Sequence, residues 1–349
     1  MNRLARAVTQ TRELFTVGFL VILFLGTGAV NPSFLSPENI LLCLNGSVIF
    51  ILLAIGVSFV IITGDIDVSV GATLGLTAAV CATMIRDGSS LLSASVTAVT
   101  IGAIIGLANG LGVTKLHIPA IIMTLGVNGV VRGSIYVYTG GKWVENLPVA
   151  FKGYGQIALA GFVNLFLLIT ILIVVGVFLY LNRAKNGKYF AAIGDNIGGA
   201  TLIGIPVDRM RILAFVLCGA FAALAGIAYA SRIGFVTPIA GSGYEMKAIA
   251  ACVLGGVSLA GGVGSVIGVM FGAIIMSSIS RILVFLQFSS NWDDTITGIL
   301  LIIIVVADAL IQKHLKEAAR RERLAVRGLK AQREFEAKLG SEETGGELL

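Results

Sequence analysis

The chain has 349 residues, of which 56% are hydrophobic and 13% charged, with 44 glycines and a formal charge of +6. Soluble domains carry roughly 25% charged residues, so this composition belongs to a membrane protein. Nine Lys/Arg and seven Asp/Glu fall between Lys313 and Leu349, leaving only 16 and 12 for the preceding 312 residues. At about 20 residues per spanning helix that body holds around ten spans, which excludes a large catalytic domain outside the bilayer.

Apolar runs place helices, in chain order, over 14–30, 40–62, 68–85, 91–113, 119–138, 162–181, 210–231, 248–259, 264–286 and 294–311. Pro32, Pro37, Pro148, Pro206 and Pro238 fall between them, and Pro119 opens the fifth, where its missing N–H costs nothing. The eighth run is too short and too rich in glycine for a regular crossing, which predicts a broken or partly re-entrant segment. The expected fold is all-α: a polytopic membrane protein of about ten transmembrane helices. Its parts are a short N-terminus (1–13), a membrane domain (14–311) and a charged C-terminal tail (312–349), in which Glu317/Arg321 and Glu334/Lys338 at i,i+4 suit a solvated helix.

Arg3, Arg6, Arg12, Lys115, Arg183, Lys185, Lys188, Arg209 and Arg211 gather on one side of this map, against Arg86, Lys142, Lys152 and Arg232 on the other. The positive-inside rule then puts both termini in the cytoplasm. Gly102, Gly106 and Gly110 on the fourth run recur as Gly264, Gly268 and Gly272 on the ninth. Close helix packing accounts for either copy alone. An offset of five spans between them would make two inverted, pseudo-symmetric halves.

Cys43, Cys81, Cys218 and Cys252 stand singly in apolar runs, and the chain has two histidines, His117 and His314. Neither a metal site nor a catalytic residue is expected from that inventory. The sequence contains no G-x-x-x-x-G-K-[ST], G-x-S-x-G or H-E-x-x-H pattern, so any nucleotide chemistry lies on another chain.

Four segments could carry function. Thr63 to Gly71 sets Asp65, Asp67 and Ser69 between two long apolar runs; it reads equally as part of a pathway, since ionisable groups near membrane depth face a cavity or partner, or as a cytoplasmic turn in which Asp67 and Ser69 cap the third helix. Lys142, Trp143 and Glu145, ahead of Pro148, lie in a long external loop and suit either an aromatic belt or a docking surface. Glu245 and Lys247 open the eighth run and could pair there. Gly194, Asp195 and Asn196, followed by Gly199, Ala200 and Gly204, predict a short cytoplasmic helix of small residues over 194–206. Such a helix fits a cleft on another protein, or lies in the interface as an ordinary amphipathic segment.

Across about Leu14 to Asp308, these segments resemble the membrane permeases of sugar-type ATP-binding-cassette (ABC) importers, which carry ribose, xylose and similar ligands. The segment Gly64-Asp65-Ile66-Asp67-Val68-Ser69-Val70-Gly71 is similar to a family motif after the second span, and Gly194 to Gly204 to the coupling helix that meets the ATPase. Thr139 to Trp143, Gly194-Asp195-Asn196 and Glu245 to Gly256 look most like the members that import autoinducer-2; a pentose or deoxysugar is the second expectation. The resemblance implies an inner-membrane permease that is not an enzyme. It binds no cofactor itself, because ATP and Mg2+ belong to two partner ATPase domains, and it works with a second permease subunit and a periplasmic binding protein, without nucleic acid. The rival from another class is an ion-coupled secondary transporter using Asp65 and Asp67.

Overall fold

The computed structural model describes residues 3–156, 158–159, 163–289 and 291–310. The charged tail, with Glu317/Arg321 and Glu334/Lys338, lies outside them. The chain divides into Met1–Ile302 and Ile303–Leu349, and in the second unit the described residues, 303–310, are helical.

The first unit runs α1 (Arg3–Val30), α2 (Pro37–Ile62), α3 (Val70–Arg86), α4 (Leu91–Thr114), α5 (Ala120–Thr139), α6 (Val149–Gln156), α7 (Leu165–Arg183), α8 (Lys185–Asp195), α9 (Ile197–Leu202), α10 (Val207–Ile233), α11 (Tyr244–Leu254) and α12 (Val266–Phe285). Residues 292–302 are again helical. A two-residue antiparallel pair, Ala158–Leu159 with Val163–Asn164, precedes α7. The protein is all-α and polytopic: among the described residues seven helices are long and apolar enough to cross a membrane, with α3 a shorter apolar helix of 17 residues. The count of ten is not reached by length: the third run yields the 17-residue α3, the eighth only the 11-residue α11, and the tenth run is not among the seven. Helix α11 ends at Gly255, and Gly256, Gly261 and Gly262 then take positive φ in the turns that follow, conformations a β-carbon disfavours.

Local signals set the helix ends. Ser36 caps α2 by accepting from the Asn39 N–H, with Pro37 at the first helical position. Asn164 caps α7 and Ser265 caps α12 in the same way, while Gly140 and Gly234 close α5 and α10 in the left-handed region. The helices sort by environment. α2, α10 and α12 are buried over most of their length, whereas α1, α4, α5 and α7 expose long apolar side chains such as Phe15, Val137 and Leu172. In water that exposure would be costly; against lipid tails it is neutral, so these helices form the outer layer.

The glycine triplets act as close-packing surfaces. Gly102 meets Gly219, Gly106 the backbone at Phe215 and Gly110 the Ile212 backbone, which seats α4 on α10. On α12, Gly268 meets Gly255 and Gly272 the Ala251 carbonyl. The main packings also pair off under an offset of five spans: α4 on α10 with α12 on α2, α3 on α10 with α11 on α2, and α3 on α4 with α11 on α12. The two short helices, α3 and α11, are thus equivalent members of two pseudo-symmetric halves.

Candidate functional site

Each short helix is entered through irregular backbone. After α2 the chain turns at Gly64 (φ +89°) and runs without helical structure to Ser69. Its two carboxylates have different fates. Asp65 accepts two hydrogen bonds of 2.8 Å from Nε and Nη2 of Arg211, near the start of α10. Asp67 is 1% exposed, and its Oδ1 accepts from the Ser69 N–H (2.8 Å) and Oγ (2.7 Å). Asn109 of α4 donates to the Ser69 Oγ at 2.8 Å and, at 3.4 Å, to Asp67 Oδ2. The expected capping of α3 is corrected: Ser69 stands at the N-cap position but makes no side-chain cap bond, its backbone already being helical (φ −84°, ψ −7°), and its hydroxyl accepts from Asn109. Asp67 instead folds back on the Ser69 amide as an Asx-type turn. Irregular backbone within a membrane body needs its polar groups satisfied by protein. The Thr124 hydroxyl of α5 accepts from the Val68 N–H (3.3 Å) and lies 3.4 Å from the Ile66 carbonyl, while Asn109 of α4 and Arg211 of α10 hold the segment's side chains.

The matching entry to α11 brings Gly241 against the Gly71 carbonyl and Ala240 against Gly75. The expected Glu245–Lys247 pair does not form. Lys247 Nζ bonds Asp293 Oδ2 at 2.6 Å, and Glu245 faces away toward Gly71. Residues two apart on a helix point in different directions, so such a pair was geometrically unfavourable from the start. Sequence reasoning also missed two arginines inside spans, Arg132 and Arg281, and placed Arg232 beyond the seventh run, whereas it lies in the last turn of α10. Arg132 donates to the Ala240 carbonyl (2.5 Å), Arg232 to the Asn45 carbonyl (2.9 Å) and Arg281 to Asn39 Oδ1 (3.5 Å). Their signal was an arginine within an otherwise apolar run, where each needs a partner.

The predicted short helix is α9, with Asn196 as its cap: its Oδ1 accepts from the Gly199 N–H at 2.8 Å. Asp195 ends α8. The small residues divide between the two faces, with Gly198 and Gly204 exposed. Ala200 is buried at 3% exposure and Gly199 half-buried, while Ile197, Leu202 and Ile203 stand out, Leu202 at 89%. Close packing accounts for two of the small residues, Ala200 and Gly194. Gly194 lies so close to the Ile62 carbonyl and the Gly261–Gly262 backbone that a β-carbon would overlap them. The Gly262 N–H also donates to the Ile62 carbonyl at 2.9 Å. The end of α8, the end of α2 and the loop after α11 therefore meet at one backbone junction beside α9, with Gly204 (φ +80°) turning the chain away.

At the other end of the molecule, Trp143 stacks on Phe235 (centroids 5.4 Å apart, planes at 8°) and remains 57% exposed. Val144 and Val236 exchange backbone hydrogen bonds of 2.8 and 3.0 Å. Ser231 Oγ donates to the Phe151 carbonyl, so α6 is fastened to the end of α10. Lys142 and Glu145 flank Trp143 and are exposed. Among the described residues, no group of three or more His, Cys, Asp or Glu is placed to hold a metal ion.

Comparison with known proteins fits this architecture. The sequence model of the family described as branched-chain amino acid transport system / permease component matches residues 39–305. The autoinducer 2 import system permease protein LsrC of Enterobacter sp. (strain 638) is 41% identical over 310 residues, covering 89% of this chain and 90% of the relative. The proteins of that name from Escherichia coli and Salmonella typhi are each 39% identical, over 318 and 320 residues, covering 91% of this chain and 93% and 91% of the relatives. No solved structure matches. A multi-pass helical body, two interrupted helices and a match across most of its length identify the chain as a member of the branched-chain amino acid transport system permease component family.

Proposed function

We propose that this chain is the membrane permease of an ABC importer that carries autoinducer-2, with a pentose or deoxysugar as the next choice of ligand. The observation that supports this most is identity of 39–41% to the autoinducer 2 import permeases over about nine-tenths of both chains. In this reading the permease sits in the inner membrane with both termini cytoplasmic. It pairs with itself or a related chain, and works with two ATPase domains that bind ATP and Mg2+ and with a periplasmic binding protein. It breaks no bond itself.

The geometry supports a division of labour. The apolar tip formed by Ile197, Leu202 and Ile203 is the contact with the ATPase, and Gly194, Asn196, Gly199, Ala200 and Gly204 shape and anchor it. Displacement of α9 passes through the junction of Gly194, Ile62 and Gly262 to α2 and the loop after α11, both of which flank the interrupted helices. Asp65, Asp67 and Ser69 fix the inner entry of one such helix, and Lys142, Trp143 and Glu145 receive the binding protein. Alternating access then follows from ATPase closure favouring one arrangement of these helices over the other.

Co-purification from membranes tests the reading, together with uptake of labelled autoinducer-2 into liposomes holding the assembled complex. ATP-dependent uptake that needs the binding protein is expected. Uptake by this chain alone, driven by an ion gradient, would replace the importer reading with secondary transport.

A further inference from the structure

Phe50 is the fourteenth of the 26 residues of α2, so at 1.5 Å per residue it lies near the middle of that span. Around it gathers a polar cluster that the helix packing does not require. Lys247 of α11 lies 5.7 Å from the Phe50 ring centre, and Tyr244 packs on the same ring with centroids 4.7 Å apart. Lys247 Nζ and Ser280 Oγ of α12 both donate to Asp293 Oδ2, each at 2.6 Å. The other carboxylate oxygen, Asp293 Oδ1, is buried and has no hydrogen-bond partner among the described residues. The lysine and aspartate side chains are only 7% and 17% exposed.

A buried pair of charges gains little over apolar residues of the same size, and an unspent buried acceptor is a further cost. Both are explained if something else uses them. The cluster lies close to the surface: Gly243 is half-buried and Asp294 beside it is exposed.

We infer that Phe50, Tyr244, Lys247, Ser280 and Asp293 form a ligand contact inside the permease, suited to a small, uncharged, polyhydroxylated molecule. The inference rests on the importer reading above and adds a place and a chemistry to it. Asp293 Oδ1 accepts one ligand hydroxyl. Lys247, whose ammonium carries three donors, gives a hydrogen bond to another ligand oxygen, and the tilted rings of Phe50 and Tyr244 offer an apolar edge to the C–H face. An anionic ligand would meet the Asp293 carboxylate, and a wholly apolar one would leave it unpaired, so the cluster selects against both.

The test uses the complete importer in liposomes, with autoinducer-2 and D-ribose as labelled probes. Lys247→Met combined with Asp293→Leu removes both charges while keeping apolar volume, an exchange that folded proteins often tolerate. Phe50→Leu leaves the ion pair in place. Both variants are expected to assemble and to hydrolyse ATP when loaded binding protein is added. The double variant should deliver about tenfold less ligand per ATP, and Phe50→Leu should change the autoinducer-2 to ribose uptake ratio about threefold. Wild-type delivery and an unchanged ratio in assembled complexes would overturn the site. If the double variant fails to assemble, Phe50→Leu decides alone: an unchanged ratio makes the pair a structural tie. Failure of the wild-type complex to move either probe overturns the importer reading instead, and the site with it.

Discussion

Arg211 grips Asp65 through two parallel hydrogen bonds of 2.8 Å, joining the segment after α2 to the start of α10 across 146 positions of sequence. The pairing balances the Asp65 charge with a guanidinium cation, one hydrogen bond to each carboxylate oxygen. It also makes the segment a strut: the fork fixes both the distance and the orientation of the Thr63–Ser69 backbone relative to α10.

Removing one partner of that strut leaves the other charge partly buried and alone, at a cost of about 3 kcal/mol. Arg211→Ala is therefore expected to reduce the amount of folded permease in membranes severalfold. Asp65→Ala combined with Arg211→Leu should recover much of it, and Arg211→Lys should recover less, because an ammonium cannot reproduce the bidentate fork. Detergent-solubilised Tm across the series measures the order; equal Tm for the single and double variants would show that the fork does not hold the segment.

Asp67 has neutral donors around it, and we predict that it organises backbone and carries no ion. Asp67→Asn should keep uptake dependent on ATP and indifferent to the proton gradient, with a loss set by the weakened turn at Ser69. Uptake measured with an uncoupler at constant ATP is the check, and collapse of wild-type uptake under those conditions would favour the ion-coupled alternative.

The coupling tip is predicted to act through bulk apolar contact. Leu202→Glu places a charge where the side chain is 89% exposed, so folding should be nearly unaffected. Loss of a central apolar anchor at a protein interface is worth about 2 kcal/mol, which corresponds to roughly thirtyfold weaker capture of the ATPase. Ala200→Arg, by contrast, should lower the yield of folded protein, because that site is buried. Quantitative pull-down against membrane yield separates the two effects; Leu202→Glu retaining wild-type capture would move the contact elsewhere.

The loop after α5 offers Trp143 stacked on Phe235 between exposed Lys142 and Glu145. If it receives the binding protein, Trp143→Ala weakens stimulation of ATP hydrolysis by loaded binding protein and spares basal hydrolysis. Lys142→Glu should do so in a manner that fades with added salt. An aromatic-belt role gives lower membrane stability with normal stimulation per folded complex, and that result would remove the docking assignment.

Packing of α4 on α10 is predicted to tolerate no side chain at its crossing. A β-carbon at Gly106 would overlap the Phe215 carbonyl oxygen, so Gly106→Ala must push the helices apart. Overpacking of this kind costs about 1–3 kcal/mol. Gly126→Ala on α5, where a β-carbon meets nothing within 4 Å, is the control and should leave thermal stability unchanged.

Much of this protein was readable in its sequence because membrane insertion is governed by local quantities. Run length, hydropathy and the absence of proline from the spans set where helices begin and end, since lipid offers the backbone no other partner. The glycine triplets, the interrupted eighth run and the short helix capped by Asn196 are local in the same sense. Partners of the buried polar and charged groups are not. Asp65 with Arg211, Lys247 with Asp293 and Asn109 with Ser69 join residues 146, 46 and 40 positions apart, and only the way helices pack brings them within reach. The inward face of Ala200 was hidden for the same reason. In a six-residue helix, composition says that side chains are small, while the neighbouring ends of α2 and α8 and the loop after α11 decide which of them touch protein and which stand free.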